Sequence, residues 1–181
     1  TGGQVHVASS DWQDTFFRPG HEQMCDDAGG IYEAILGGLN DGFAYDLLPA
    51  AARLVDIDSD PERSHSIQGV ELMKNNLLAE AESTLRAGIE KVGATGTLLT
   101  NLAKVFADRG DDARADEILW QAIEADPNLD NGLVWWASLK QEREGEAGYV
   151  AGLQTVAALP GSWRAQLWLA RHYLEHKDLA S

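Results

Sequence analysis

The chain has 181 residues, 44% apolar and 24% charged, enough material for a folded core and too apolar for a disordered segment. Its formal charge of −15 argues against nucleic acid and anionic membrane surfaces, both of which are held through cationic side chains. No run approaches the roughly 18 unbroken apolar residues of a membrane helix, and the single cysteine, Cys25, excludes an internal disulfide.

Thr1 stands where a methionine would begin a chain, and no signal-peptide pattern follows, so a preceding segment removed either by processing or by excision is expected. These features lean toward a soluble, cytoplasmic setting. Residues 1–25 read as an extended arm: "TGGQVHVASSDWQDTFFRPGHE" has no helical period, and Trp12, Phe16 and Phe17 give it apolar side chains to dock. Residues 26–61, with "IYEAILGGLNDG" and "FAYDLLPAAARLVDIDSDP", read as a degenerate helical pair near 26–39 and 42–57. Pro49 would then need a kink or an early helix boundary.

From residue 62 onward the pattern is periodic. Small residues recur at Gly69, Ala103, Ala137 and Ala170, spaced 34, 34 and 33. Ala81, Ala115 and Gly148 repeat at 34 and 33, as do Gly93, Pro127 and Pro160, and Ile89, Ile123 and Val156. Four series with one period and a shared one-residue deletion define units at 62–95, 96–129 and 130–162, with a partial unit at 163–181. In the clearest unit, helices are predicted over 96–109 and 111–125. Gly110 makes the turn, Asp111 or Asp112 caps the second helix, and Pro127 ends it. Ala103 and Ala115 mark the closest approach, inside a seam of Leu99, Leu102, Phe106, Leu119 and Ile123. In 130–162, Lys140 replaces an expected aromatic and Gly152 an expected large apolar residue, so looser packing is expected there. The period calls for a further second helix after Lys177-Asp178-Leu179-Ala180. The helix at 163–177 carries a wide apolar arc that a following segment or another subunit should cover.

Leu99-x2-Leu102-Ala103-x2-Phe106, followed by Ala115, Leu119, Ala122 and Pro127, resembles the tetratricopeptide repeat. The resemblance spans about 62–178, roughly two-thirds of the chain. It implies an all-α, right-handed solenoid of antiparallel helix pairs, with three to four repeats after the arm. It also implies a non-enzymatic adaptor whose first helices line a concave groove for a partner protein or peptide, with no cofactor. Carried over by position, the groove takes Arg63, Val70 and Lys74, then Thr100 and Lys104, then Asn131, Val134 and Ser138, and last Arg164, Leu167, Arg171 and Leu174. With Asp108, Glu142 and Glu175 on the same surface, five basic side chains meet three acidic ones. The groove nets +2, against −17 for the rest of a chain at −15. A partner segment with acidic and apolar side chains suits it, with Lys104 and Arg171 as anchors and Val134, Leu167 and Leu174 as apolar contacts. Ser66, Val70 and Trp135 depart from the set that holds a chaperone tail, so that specialised clamp is not expected.

Alternatives of other classes rest on fewer residues. His21-x3-Cys25 offers two metal ligands or a thiol nucleophile, the basis for reading the chain as an accessory region of an enzyme, but two ligands are too few for a site. His172 and His176 are one helical turn apart with no H-E-x-x-H carboxylate, so a solvated pair and no metal are expected. The glycine-rich stretches lack the lysine and strand–helix context of a phosphate loop. A self-assembly module, joined through the C-terminal helix or the arm, is the third reading. Of the six tryptophans, Trp120, Trp136 and Trp168 are expected in the core and Trp135 and Trp163 on a contact surface.

Overall fold

In the computed structural model, which describes residues 27–41 and 47–176, Pro49 sits in the first turn of one helix and Pro61 opens the next. Neither site needs an intrahelical N–H, so both prolines fit without a kink. The arm and the His21–Cys25 pair lie outside the described residues. Among those described, eight helices and no strand are present: α1 (Ala28–Asp41), α2 (Leu48–Ile57), α3 (Pro61–Lys74), α4 (Leu78–Val92), α5 (Gly96–Asp108), α6 (Asp112–Ala125), α7 (Asp130–Ala157) and α8 (Arg164–Glu175). The chain divides into two units, Thr1–Thr84 and Leu85–Ser181, with the division inside α4.

In the first unit, Ile31 and Ile35 of α1, Ala50, Ala51 and Leu54 of α2 and Ile67 of α3 form one buried cluster with Leu47. Gly38 lets α1 approach the chain leading into α2, since a Cβ there would stand 2.8 Å from Leu47 Cδ1. Asp60 caps α3, accepting from the Arg63 N–H at 3.1 Å. The Arg63 guanidinium donates to both carboxylate oxygens of Asp58, at 2.9 and 2.7 Å, and covers the Tyr32 ring at 4.8 Å. One side chain thus ties the start of α3 to the end of α2 and to α1.

In the second unit, α5 and α6 form the pair expected over 96–109 and 111–125. Thr95 caps α5 and Asp111 caps α6, while Gly110 turns the chain at φ +79°. Ala103 is fully buried and Ala115 nearly so, inside Leu99, Leu102, Phe106, Leu119 and Ile123. Bulkier residues at the two alanines would force this pair apart. The positive-φ turns follow the repeat as well: Asn76 (φ +58°), Gly110 (φ +79°) and Gly145 (φ +68°). At Gly145 the two helices of the third copy meet with no intervening loop, so α7 is one broken helix with arms 130–144 and 146–157.

The third copy is not loosely packed, contrary to the sequence expectation. Its replacements compensate each other: the Lys140 stem covers Gly152, where a Cβ would come within 2.8 Å of Lys140 Cγ, and the Lys140 ammonium rests 4.4 Å from the Trp136 ring centre. An aliphatic stem with a charged tip fills the place of an aromatic, and the small residue opposite makes room for it. Trp120 and Trp136 meet with ring centres 5.1 Å apart, and both pack on a core of Ile123, Leu133, Ala137, Leu153, Val156, Ala165 and Leu169. Asp116 of α6 accepts two hydrogen bonds from Arg143 of α7, linking successive copies.

Candidate functional site

Helical spacing sets one face of α7 and one of α8. Asn131, Val134 and Ser138 fall at i, i+3 and i+7, and Arg164, Leu167, Arg171 and Leu174 at i, i+3, i+7 and i+10. Each face stays open: Asn131 and Ser138 are exposed, and Val134, Leu167 and Leu174 keep 45%, 59% and 64% of their surface in water. Three exposed aliphatic side chains at sequence-expected positions contrast with Leu133, Ala165 and Leu169, which the same helices bury. The two helices converge on a depression of about 410 Å³ lined by Val134, Ala137, Ser138, Tyr149, Trp168, Arg171, His172 and Glu175. Val134, Ser138 and Arg171, from two successive copies, therefore share one concavity with an aromatic side and a charged edge.

Arg171 donates to Glu175 at 2.8 Å, one turn along α8, and both side chains are largely exposed. That hydrogen bond holds the Glu175 carboxyl below the usual carboxylate range. Exposed pairs of this kind are weak, so a ligand carboxylate can compete with Glu175 for the guanidinium. Burial pushes the Tyr149 hydroxyl above its ordinary range, although the Arg171 charge opposes the shift.

The remaining sequence-expected positions divide by environment. Lys104 is exposed and makes no ion pair with a described residue, while Arg164 is held by Asp130 at 2.6 Å. Thr100 does not reach a surface. It is 8% exposed, its hydroxyl facing Gly132 of α7, where a Cβ would approach within 3.2 Å. A small residue opposite lets the two first helices close over it, so Thr100 belongs to their seam. In the first unit, Arg63 is taken by Asp58, Val70 is half-buried, and Lys74 is exposed 3.9 Å from the buried Glu71. The cationic surface expected from sequence is thus largely paired within the chain, with Lys104 the cation left over among these positions.

Several features were not evident in the sequence. Asn128, just past Pro127, donates to the Gly161 carbonyl at 3.0 Å and accepts from the N–H groups of Trp163 and Arg164 at 2.9 and 3.0 Å. A residue at the end of one copy thereby caps the first helix of the copy after next. The usable signal was Asn after Pro one period before a helix start, but only the fold shows which helix it caps. Trp163 is 55% exposed, as expected of a contact residue, whereas Trp135 is half-buried. Trp168, expected in the core, and Tyr173, on the apolar arc of the last helix, are half-buried against this unit's own core. Ala170 is exposed, unlike Ala103 and Ala137 at the same position of earlier copies. Glu146 brings a carboxylate to His172 and His176, the third donor whose absence argued against a metal.

No helix among the described residues is long and apolar enough to cross a membrane. No model of a known protein family matches the sequence, and no curated protein matches it. Among solved structures, the chain is similar to MamA 41-end from Desulfovibrio magneticus RS-1, with a TM-score of 0.54 at 12% identity, over 86% of this chain and 94% of that one. At this identity the likeness concerns the backbone alone. Together with the helix pairs and their 34-residue period, it shows an all-helical repeat fold of the tetratricopeptide type.

Proposed function

We propose that this chain is a non-enzymatic protein-interaction module, and that α7 and α8 hold a segment of a partner protein on their exposed face. The observation that carries this reading is the depression where Val134, Ser138 and Arg171 converge beside Trp168 and Tyr149. Exposed aliphatic and half-buried aromatic side chains supply contact area, and a rim guanidinium sets orientation and favours a carboxylate on the segment. Lys104 on α5 extends the same preference. A segment with acidic and apolar side chains fits this surface, whereas a polyphosphate faces a chain at −15.

The test is recovery of partners from the native cell by the full chain and by Val134→Asp and Arg171→Glu variants. A protein retained by the wild type and lost by both variants supports the reading. Equal recovery by all three removes the face from consideration. A second reading, self-assembly through α8, is favoured by Ala170, whose counterparts in earlier copies are covered by a second helix. Light scattering against concentration separates the two, because self-assembly raises the mass of the isolated chain and partner binding leaves it unchanged.

A further inference from the structure

Between the second arm of α7 and α8 lies a cleft of about 400 Å³ whose lining includes Glu146, His172, Tyr173 and His176. Three of these side chains carry metal-ligand atoms, and those atoms all lie within 4.8 Å of one another. We propose that Glu146, His172 and His176 form a binding site for a divalent transition metal of the zinc class, linking the second arm of α7 to the C-terminal turn of α8.

The distances suit such an ion. Zinc bonds to imidazole nitrogen and carboxylate oxygen measure about 2.0–2.2 Å, so tetrahedral donors stand roughly 3.4 Å apart. Glu146 Oε1 lies 3.0 Å from His176 Nε2 and 3.6 Å from His172 Nε2, on either side of that spacing. Helical geometry supplies the pair: residues four apart project from the same face, and the two rings stack with centres 4.3 Å apart. The carboxylate comes from another helix, at the first residue after the Gly145 break.

The orientation of His176 is fixed as well. Its Nδ1 lies 2.8 Å from the His172 carbonyl oxygen, which can only accept, so Nδ1 carries the proton and donates it. In the neutral ring Nε2 then presents a lone pair toward the Glu146 oxygen. Two lone pairs 3.0 Å apart repel unless a cation or a second proton lies between them. Metal-bound histidines commonly use this arrangement, with one ring nitrogen donating to a backbone carbonyl and the other free for the ion. Two imidazoles and one carboxylate select zinc, copper or nickel over magnesium or calcium, which prefer oxygen. With three protein ligands, a fourth position stays open to water or to a side chain of a bound partner.

The test is calorimetric titration of the full chain with zinc chloride, using wild type, the His172→Ala/His176→Ala double variant and Glu146→Gln. A His6→Ala/His21→Ala/Cys25→Ser background removes the N-terminal imidazole and thiol donors. In that background the wild-type cluster should take up one zinc, the double histidine variant none, and Glu146→Gln should bind at least about tenfold more weakly. Saturating zinc should raise the melting temperature of the parent and leave that of the double variant unmoved, because the ion binds only the folded arrangement. Circular dichroism establishes that the variants fold, and cobalt(II) absorption reports tetrahedral coordination. No zinc uptake by the parent would overturn the proposal, as would equal stoichiometry and affinity in the double variant.

Discussion

Replacing Gly148 with alanine puts a methyl group where α7 has no space for one. A Cβ at Gly148 would stand 2.5 Å from the Lys140 carbonyl oxygen and 2.5 Å from Glu144 Cβ, far inside van der Waals contact. The carbonyl belongs to the first arm of the same broken helix, so relief requires the two arms to move apart. Overpacking of this kind costs about 1–3 kcal/mol. Alanine returns about 0.5–1 kcal/mol of helix propensity, so the middle of the two ranges leaves a net loss of about 1 kcal/mol. Gly152, one turn further, is the internal control. There the nearest atoms are Lys140 Cγ at 2.8 Å and Lys140 Cβ at 3.2 Å, side-chain atoms with no backbone among them, so Gly152→Ala should cost less than Gly148→Ala. Urea unfolding followed by tryptophan fluorescence reads this region, since Trp120, Trp136 and Trp168 pack on its core. With a urea dependence of about 1–3 kcal/mol per molar, Gly148→Ala should lower the midpoint by roughly 0.3–1 M. If Gly148→Ala unfolds at the same urea concentration as Gly152→Ala, the close approach of the two arms is wrong.

Asn128→Ala removes three hydrogen bonds around the start of α8 and should cost about 0.5–2 kcal/mol. Faster amide exchange confined to α8 and the turn before it is the check, and uniform acceleration along the chain would contradict the capping role. In the first unit, Arg63→Met should destabilise by about 0.5–1.5 kcal/mol, because it removes the two hydrogen bonds to the Asp58 carboxylate. The same pair sets an acid dependence: the Arg63 hydrogen bond holds the Asp58 carboxyl below its ordinary range. Its contribution is present above the unfolded value near 4 and disappears as pH falls through the lowered folded value. The stability difference between wild type and Arg63→Met should therefore shrink below about pH 4. A difference that stays constant down to pH 2 would rule out this linkage.

Much of the fold could be read from residue types because the repeat makes each local signal recur. Ala103 and Ala115, expected at the closest approach of α5 and α6, are both buried, and Gly110 and Asp111 supply the expected turn and cap. The period was not enough where two departures from it cancel. Lys140 and Gly152 each read as a defect, and only their contact across α7 shows that one fills the space left by the other. The same limit applies to the candidate site. The resemblance to the tetratricopeptide repeat placed Val134, Leu167 and Leu174 on a first-helix surface, and all three are exposed. It could not show that Thr100 lies in a seam, that Arg164 is taken by Asp130, or that Glu146 approaches two histidines 26 and 30 residues later. Those facts depend on which side chains meet between helices, and the charge total of the positions held no trace of the pairing.

The partner-binding reading is tested most directly by where a partner touches. A photo-crosslinking amino acid placed at Val134, and separately at Glu117 on the exposed side of α6, reports contact within a side chain's length in extracts of the native cell. The account predicts one discrete crosslinked protein from position 134, abolished by Arg171→Glu, and none from position 117. Crosslinking from both positions alike, or from 117 alone, would contradict it.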